Sequence, residues 1–104
     1  MKKKVFSYIG FAKKSGNLAA GAGTCTLPAV ARKTKLILIA ADTAEGTIDK
    51  ITGFAKKENI KFRVYGHAEE LSKACGMPVR NIFGITDAGL ADAIIKEIDL
   101  EKEV

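Results

Sequence analysis

The stretch Gly21-Ala22-Gly23-Thr24-Cys25-Thr26-Leu27-Pro28-Ala29-Val30-Ala31-Arg32-Lys33, followed after Thr34-Lys35 by Leu36-Ile37-Leu38-Ile39-Ala40, sets the fold class. It reads as a glycine-loosened turn that opens a helix, and then a strand. A continuous apolar run such as Leu36 to Ala40 marks a strand covered on both faces, so helices are needed above and below a sheet. Thr24 is placed to cap the helix, with Leu27, Val30 and Ala31 facing inward. Pro28 then falls in the first turn, where its missing N–H costs little. A helix start presents unpaired N–H groups and the positive end of its dipole, which suits a phosphate or a tightly turned nucleic-acid backbone. Gly21 and Gly23 lack side chains, so another backbone can come close there.

Outward from this stretch the chain alternates helix and strand. Residues 3–14 carry Val5, Tyr8, Ile9 and Ala12 at helical spacing, and Ser15-Gly16-Asn17 stops them. Leu18-Ala19-Ala20 reads as a short strand. Asp42-Thr43 begins the next helix, with Ile48, Ile51, Phe54 and Ala55 as its buried stripe. Phe62-Arg63-Val64-Tyr65 is a strand, and Ala68, Leu71 and Cys75 line a short helix ended by Gly76. Asn81-Ile82-Phe83-Gly84-Ile85 is the last strand. Thr86-Asp87 starts a final helix whose Leu90, Ala91, Ile94, Ile95 and Ile98 form the cleanest amphipathic stripe. The tail after Asp99 is acidic and is expected to fray. This order predicts an α/β fold, a three-layer α/β/α sandwich around a four-stranded mixed sheet, with residues 1–104 forming a single domain.

The 104 residues suit one hydrophobic core, and 47% apolar with 28% charged residues is ordinary for a soluble domain. No apolar run approaches the roughly 20 residues that span a bilayer. Lys2-Lys3-Lys4 followed by Val5 to Ala12 imitates a signal peptide, but Lys13 and Lys14 interrupt it before any small-residue cleavage site. The expected location is therefore cytoplasmic. The net charge of +5 is unevenly spread: residues 1–66 hold thirteen cations against four acids, and residues 67–104 hold four against eight. A half carrying +9 favours a polyanionic partner through long-range attraction and counterion release.

Cys25 and Cys75 lie far apart, and His67 is the only histidine, so neither a zinc site nor a disulfide scaffold is expected. A thiol in the first turn of a helix can become reactive, which makes Cys25 the one enzymatic candidate. No base can be assigned to it from the sequence, and nucleophilic catalysis needs one within hydrogen-bond reach. Cys75 reads as an inert core residue. Glu69-Glu70 and the Asp87/Asp92 pair are accounted for by helix dipoles and solubility.

On these residues the chain resembles the kink-turn RNA-binding ribosomal proteins, the L-seven-Ae and L-thirty-e group. Gly21–Lys35 with Leu36-Ile37-Leu38-Ile39-Ala40-Ala41-Asp42 is similar to that family's signature region. Glu70-Leu71-Ser72-Lys73-Ala74-Cys75-Gly76-Met77-Pro78-Val79-Arg80 is similar to its second contact loop. Ile85-Thr86-Asp87 before a small-residue helix resembles the short bacterial YlxQ-type members. The resemblance implies a non-catalytic protein without cofactor that binds RNA carrying a sharply bent internal loop, ribosomal RNA above all. It also implies ribosomal proteins as further neighbours, no membrane partner, and action as a monomer.

The family helix start reads approximately Gly-x-Asn-Glu-x-x-Lys, in which Asn and Glu recognise sheared G·A pairs and Lys meets phosphate or base. Carried over, Gly21 matches the Gly, while Asn falls on Gly23, Glu on Thr24 and Lys on Leu27. A further family lysine falls on Ala68. Base-edge contacts contribute roughly 1–3 kcal/mol of discrimination each, so weaker base readout is expected here. The RNA-binding residues implied are Gly21, Ala22, Gly23, Thr24 and Leu27 at the helix start and Met77, Pro78, Val79 and Arg80 on an exposed apolar loop. Arg32, Lys33 and Lys35 are expected to add charge to the same edge.

Overall fold

Within the strand Leu36–Ile39, alternate residues go to opposite sides of a sheet. Leu36, Leu38 and Ala40 join one buried cluster and Ile37 and Ile39 another, all fully buried. The computed structural model describes residues 3–102. Its strands are β1 (Leu18–Ala20), β2 (Leu36–Ile39), β3 (Lys61–Val64) and β4 (Ile82–Ile85), in the order β1-β4-β2-β3. β4 runs antiparallel to both neighbours, and β2 and β3 are parallel, so the sheet is mixed as expected.

Helices α1 (Lys3–Lys14), α5 (Ala68–Ala74) and α6 (Ala88–Lys102) cover one face. They bury Val5, Ile9, Leu71, Ile94 and Ile98 on Leu38, Phe83 and Ile85. Helices α2 (Ala22–Cys25), α3 (Pro28–Ala31) and α4 (Glu45–Lys57) cover the other, where Cys25, Ala31, Ile51 and Ala55 meet Ile37, Ile39 and Ile82. This is the three-layer α/β/α sandwich. No helix among the described residues is long and apolar enough to cross a membrane.

Local chemistry corrects the sequence reading at three places. The helix expected from Thr24 is two single turns. Pro28 has no N–H to continue the ladder and drives the preceding residue out of helical conformation, so Leu27 sits at φ −64°, ψ 133° between them. Leu27 is therefore 53% exposed instead of facing inward. Thr24 does not cap either turn. Gly21 opens the first, with no side-chain cap among the described residues, and Thr24 lies inside it.

The next helix, α4, begins at Glu45, three residues beyond Asp42. Asp42 is used elsewhere: its Oδ1 accepts the Ala68 N–H at 2.9 Å, tying the start of α5 to the β2–α4 loop.

The described part of the tail after Asp99 is helical, with α6 continuing to Lys102, while the rest of the tail expected to fray lies outside the described residues. Arg63 Nε and Nη2 grip the two Asp99 carboxylate oxygens at 2.9 and 3.0 Å, and the Tyr65 hydroxyl donates to Glu101. At the opposite end of α6, Asp87 Oδ2 accepts the Leu90 N–H at 2.8 Å, an N-cap as expected.

Candidate nucleic-acid interface

Strand directions divide the loops between two ends of the sheet. β1, β2 and β3 finish, and β4 begins, at the end marked by Ala20, Ile39, Val64 and Ile82. Gly21 lies there, its N–H donating to Ile82 O at 2.8 Å. Its φ of 96° is open to glycine and strained for any other residue. The first helical bond of α2 runs from Cys25 N–H to Gly21 O, so the N–H groups of Ala22, Gly23 and Thr24 precede the ladder. Ala22, Gly23 and Thr24 are exposed, and no described atom comes within 4 Å of where a Gly23 Cβ would stand.

The loop Met77–Arg80 reaches the same end. A Cβ on Gly21 would stand 3.8 Å from Arg80 Cδ and 4.0 Å from Nε, so the guanidinium stem lies along the glycine. Val79 is 58% exposed and Pro78 is exposed, as the sequence reading expected. Met77 differs. It is half-buried and packs on the core of the α1/α5/α6 face, because its flexible apolar chain has a hydrophobic surface within reach.

Between these two segments opens a groove of about 340 Å³ lined by Gly21, Ala22, Val79, Arg80 and Asn81 and by the α4 start, Thr43, Ala44 and Thr47. The α4 contribution escaped the sequence reading. So did the fastening of the loop. Ser72, 1% exposed, accepts the Arg80 N–H at 2.8 Å and donates to Arg80 O at 3.2 Å. Asn81 Nδ2 donates to Thr43 Oγ1 at 3.2 Å, joining the loop to the α4 start. A signal for Ser72 was available: with Ala68, Leu71 and Cys75 it completes an i, i+3, i+4, i+7 stripe, a hydroxyl on the core face of a helix.

Arg32, Lys33 and Lys35 do not join this groove. The α2–α3 segment crosses the sheet face, so they emerge at the other end, where Lys35 N–H bonds Ile85 O at 2.7 Å. Arg32 and Lys35 share a depression with Lys61 and Asp92, and Lys33 lines another with Gly16 and Thr86. The charge expected on one edge is split between two ends. At the groove end the turns and adjoining helix starts carry Lys4, at the start of α1, and Arg80 beside Asp42, Glu45, Glu69 and Glu70.

Cys25 is fully buried, its Sγ 3.7 Å from Ala19 O, and burial pushes the thiol up to about 11. That is the reverse of an activated nucleophile. Cys75 is also raised to about 11 by burial, against a lowering influence from Lys13. His67 turns its Nδ1 toward Glu70 at 3.6 Å. Asp92 stands 4.0 Å from Lys61 and Asp87 caps α6, so no carboxylate pair forms between them.

Ala68, where the family lysine falls, is 4% exposed and is the first residue of α5. A buried methyl therefore stands in place of that cation.

A solved protein of unknown function from Bacillus halodurans superposes with a TM-score of 0.88 at 23% identity, covering 94% of this chain and 99% of the other. A 15.5 kD RNA-binding protein from Giardia lamblia superposes at 0.75 and 15% identity, with 93% and 86% covered. Both likenesses are of fold. No curated protein matches the sequence. The profile of the ribosomal protein L7Ae/L30e/S12e/Gadd45 family matches residues 3–95, and the chain belongs to that family.

Proposed function

We propose that this protein is a non-catalytic, ribosome-associated RNA-binding protein of the cytoplasm that receives RNA with a sharply bent internal loop. The observation that carries the reading is the groove in which the Gly21 helix start, the Arg80 stem and the α4 start converge. Family membership and the fold shared with an RNA-binding protein support it. Exposed backbone N–H groups and one guanidinium suit phosphates at a tight bend, and a protruding Val79 suits an extruded nucleotide. Gly23, Thr24 and Leu27 provide no bidentate base contact, so the bend is read by shape and backbone more than by base edges.

The test is titration into a kink-turn RNA and a matched straight duplex at low and physiological salt. Tighter binding to the kinked RNA that persists at physiological salt supports the proposal, and equal affinity for both refutes it. In the same assay Gly23→Asn, Thr24→Glu and Leu27→Lys together should raise affinity for the kinked form. Gly23 has room for the new side chain, and all three positions are exposed.

The exposure of Leu27 and Val79 favours a second reading, a protein-interaction module on the same edge. Such an interface would respond little to salt and would be lost in Leu27→Asp or Val79→Asp.

A further inference from the structure

Among the described residues, the largest group of cations lies at the end of the sheet opposite the groove. Four connections meet there: Ser15–Asn17, Arg32–Lys35, Glu58–Ile60 and Thr86–Asp87. With the adjoining helix and strand termini they carry Lys13, Lys14, Arg32, Lys33, Lys35, Lys56, Lys57 and Lys61 against Glu58, Asp87 and Asp92. All eight cations are exposed. Among the described residues only Lys61 has a carboxylate at ion-pair distance, Asp92 at 4.0 Å with both side chains largely in water.

A solvated lysine surface needs no such clustering. A polyanion does, because neutralising phosphates releases condensed counterions and supplies most sequence-independent affinity. The groove has the shape for a bent backbone but little of this charge. The four connections hold no aromatic side chain, and beside them Phe11, in the last turn of α1, is the one largely exposed phenyl ring among the described residues, so this end lacks the row of stacking platforms that single-strand binding uses. The depression there is lined by Arg32, Lys35 and Lys61 with Glu58 and Asp92, three cations against two carboxylates, a net positive lining for a phosphate ridge. The two ends also lie across a molecule 30 × 29 × 25 Å in extent, so one bent loop in the groove leaves the basic end exposed.

We propose that this end is a second nucleic-acid surface, which holds the phosphodiester backbone of a regular RNA duplex through Arg32, Lys33, Lys35 and Lys61. The protein then grips two segments of RNA, one by the shape of its bend and one by its charge. The proposal rests on the RNA-binding reading only in naming RNA as the polyanion.

The test uses a straight RNA duplex with no internal loop, titrated at several salt concentrations. Three proteins are compared: the unaltered chain, Lys33→Glu with Lys35→Glu, and Lys50→Glu with Lys96→Glu, which removes equal charge elsewhere. Circular dichroism confirms that each is folded. The basic-end pair should lose about tenfold in duplex affinity, and the slope of log affinity against log salt should flatten by about two. The control pair should change far less. Equal losses in both pairs, no loss in the basic-end pair, or no duplex binding by the unaltered chain at low salt would each overturn the proposal.

A kink-turn RNA run alongside separates the two readings. If its preference over the straight duplex survives in the basic-end pair while both affinities fall, both surfaces stand. If the unaltered chain shows no preference while the basic-end pair still loses duplex binding, the groove reading fails and the basic end stands.

Discussion

Ser72→Ala tests whether the loop beside the groove is fastened from below. The Ser72 hydroxyl accepts the Arg80 amide at 2.8 Å and donates to the Arg80 carbonyl at 3.2 Å, and it is 1% exposed. Alanine removes both bonds and provides no replacement. Each intramolecular hydrogen bond contributes a net ~0.5–1.5 kcal/mol, and a buried group left without a partner costs about 1–3 kcal/mol. The Arg80 backbone is only part-buried, so water can reach it once the loop loosens, which favours the lower part of that range. A loss of about 1–2 kcal/mol follows, and for a domain of this size it lowers the thermal midpoint by roughly 5–15 °C. Urea and thermal unfolding followed by circular dichroism measure the loss, and amide exchange at Arg80 locates it. A loss below about 0.5 kcal/mol with Arg80 exchange unchanged would mean that Met77 packing alone holds the loop, and the reasoning would be wrong.

Three other perturbations follow from the geometry. Gly21→Ala meets no clash, since Arg80 Cδ would stand 3.8 Å away, but it forces φ 96° on a residue with a side chain. It should cost about 1–3 kcal/mol in urea unfolding. Asp99→Asn keeps the shape of the Arg63 fork but removes its charge. Because both side chains are partly in solvent, at 30% and 43% exposed, the expected loss is no more than about 1 kcal/mol, with faster amide exchange in the last turn of α6. Cys25, with a folded value near 11 against an ordinary 9.0, favours the native state fully below pH 9, and that contribution is lost as pH rises toward 11. Unfolding from pH 8 to 11 should therefore show a smaller alkaline loss for Cys25→Ala than for the unaltered chain, and the native thiol should resist disulfide reagents near neutral pH.

Much of the fold was legible because the informative signals are local. Leu36–Ile39 is apolar without interruption, as a strand buried on both faces must be, and Ile94 and Ile98 repeat at the helical period. The departures arose where distant partners decide. Glu101 looks like part of a fraying acidic tail until Tyr65, thirty-six residues away, is folded against it. The split of α2 from α3 is local chemistry, since Pro28 sits in the first turn of α3 and forces Leu27 before it out of helix. At the candidate site, adjacency in sequence was misleading. Arg32 and Lys33 follow Gly21 by about a dozen positions, yet the segment between them crosses the sheet and delivers them to its other end. Thr43 and Thr47 carry no motif, and only the topology brings them beside Gly21 and Arg80.

The two outer strands have a consequence for the protein at high concentration. A sheet edge offers unpaired N–H and C=O groups on which another chain can grow, and long, flat apolar edges are the hazardous kind. Here one edge, β1, is only three residues long and runs at once into the Gly21 turn. The other, β3, is only four residues long and carries Lys61 and Arg63 with their α6 carboxylates Asp92 and Asp99, so an incoming strand would have to lie against charged groups instead of a flat apolar edge. The apolar β2 and β4, whose sequences would template fibrils most readily, are the two inner strands, each paired on both sides. Crowding should therefore drive neither strand exchange nor fibril growth while the native fold is intact, and either would have to begin with unfolding that releases an inner strand.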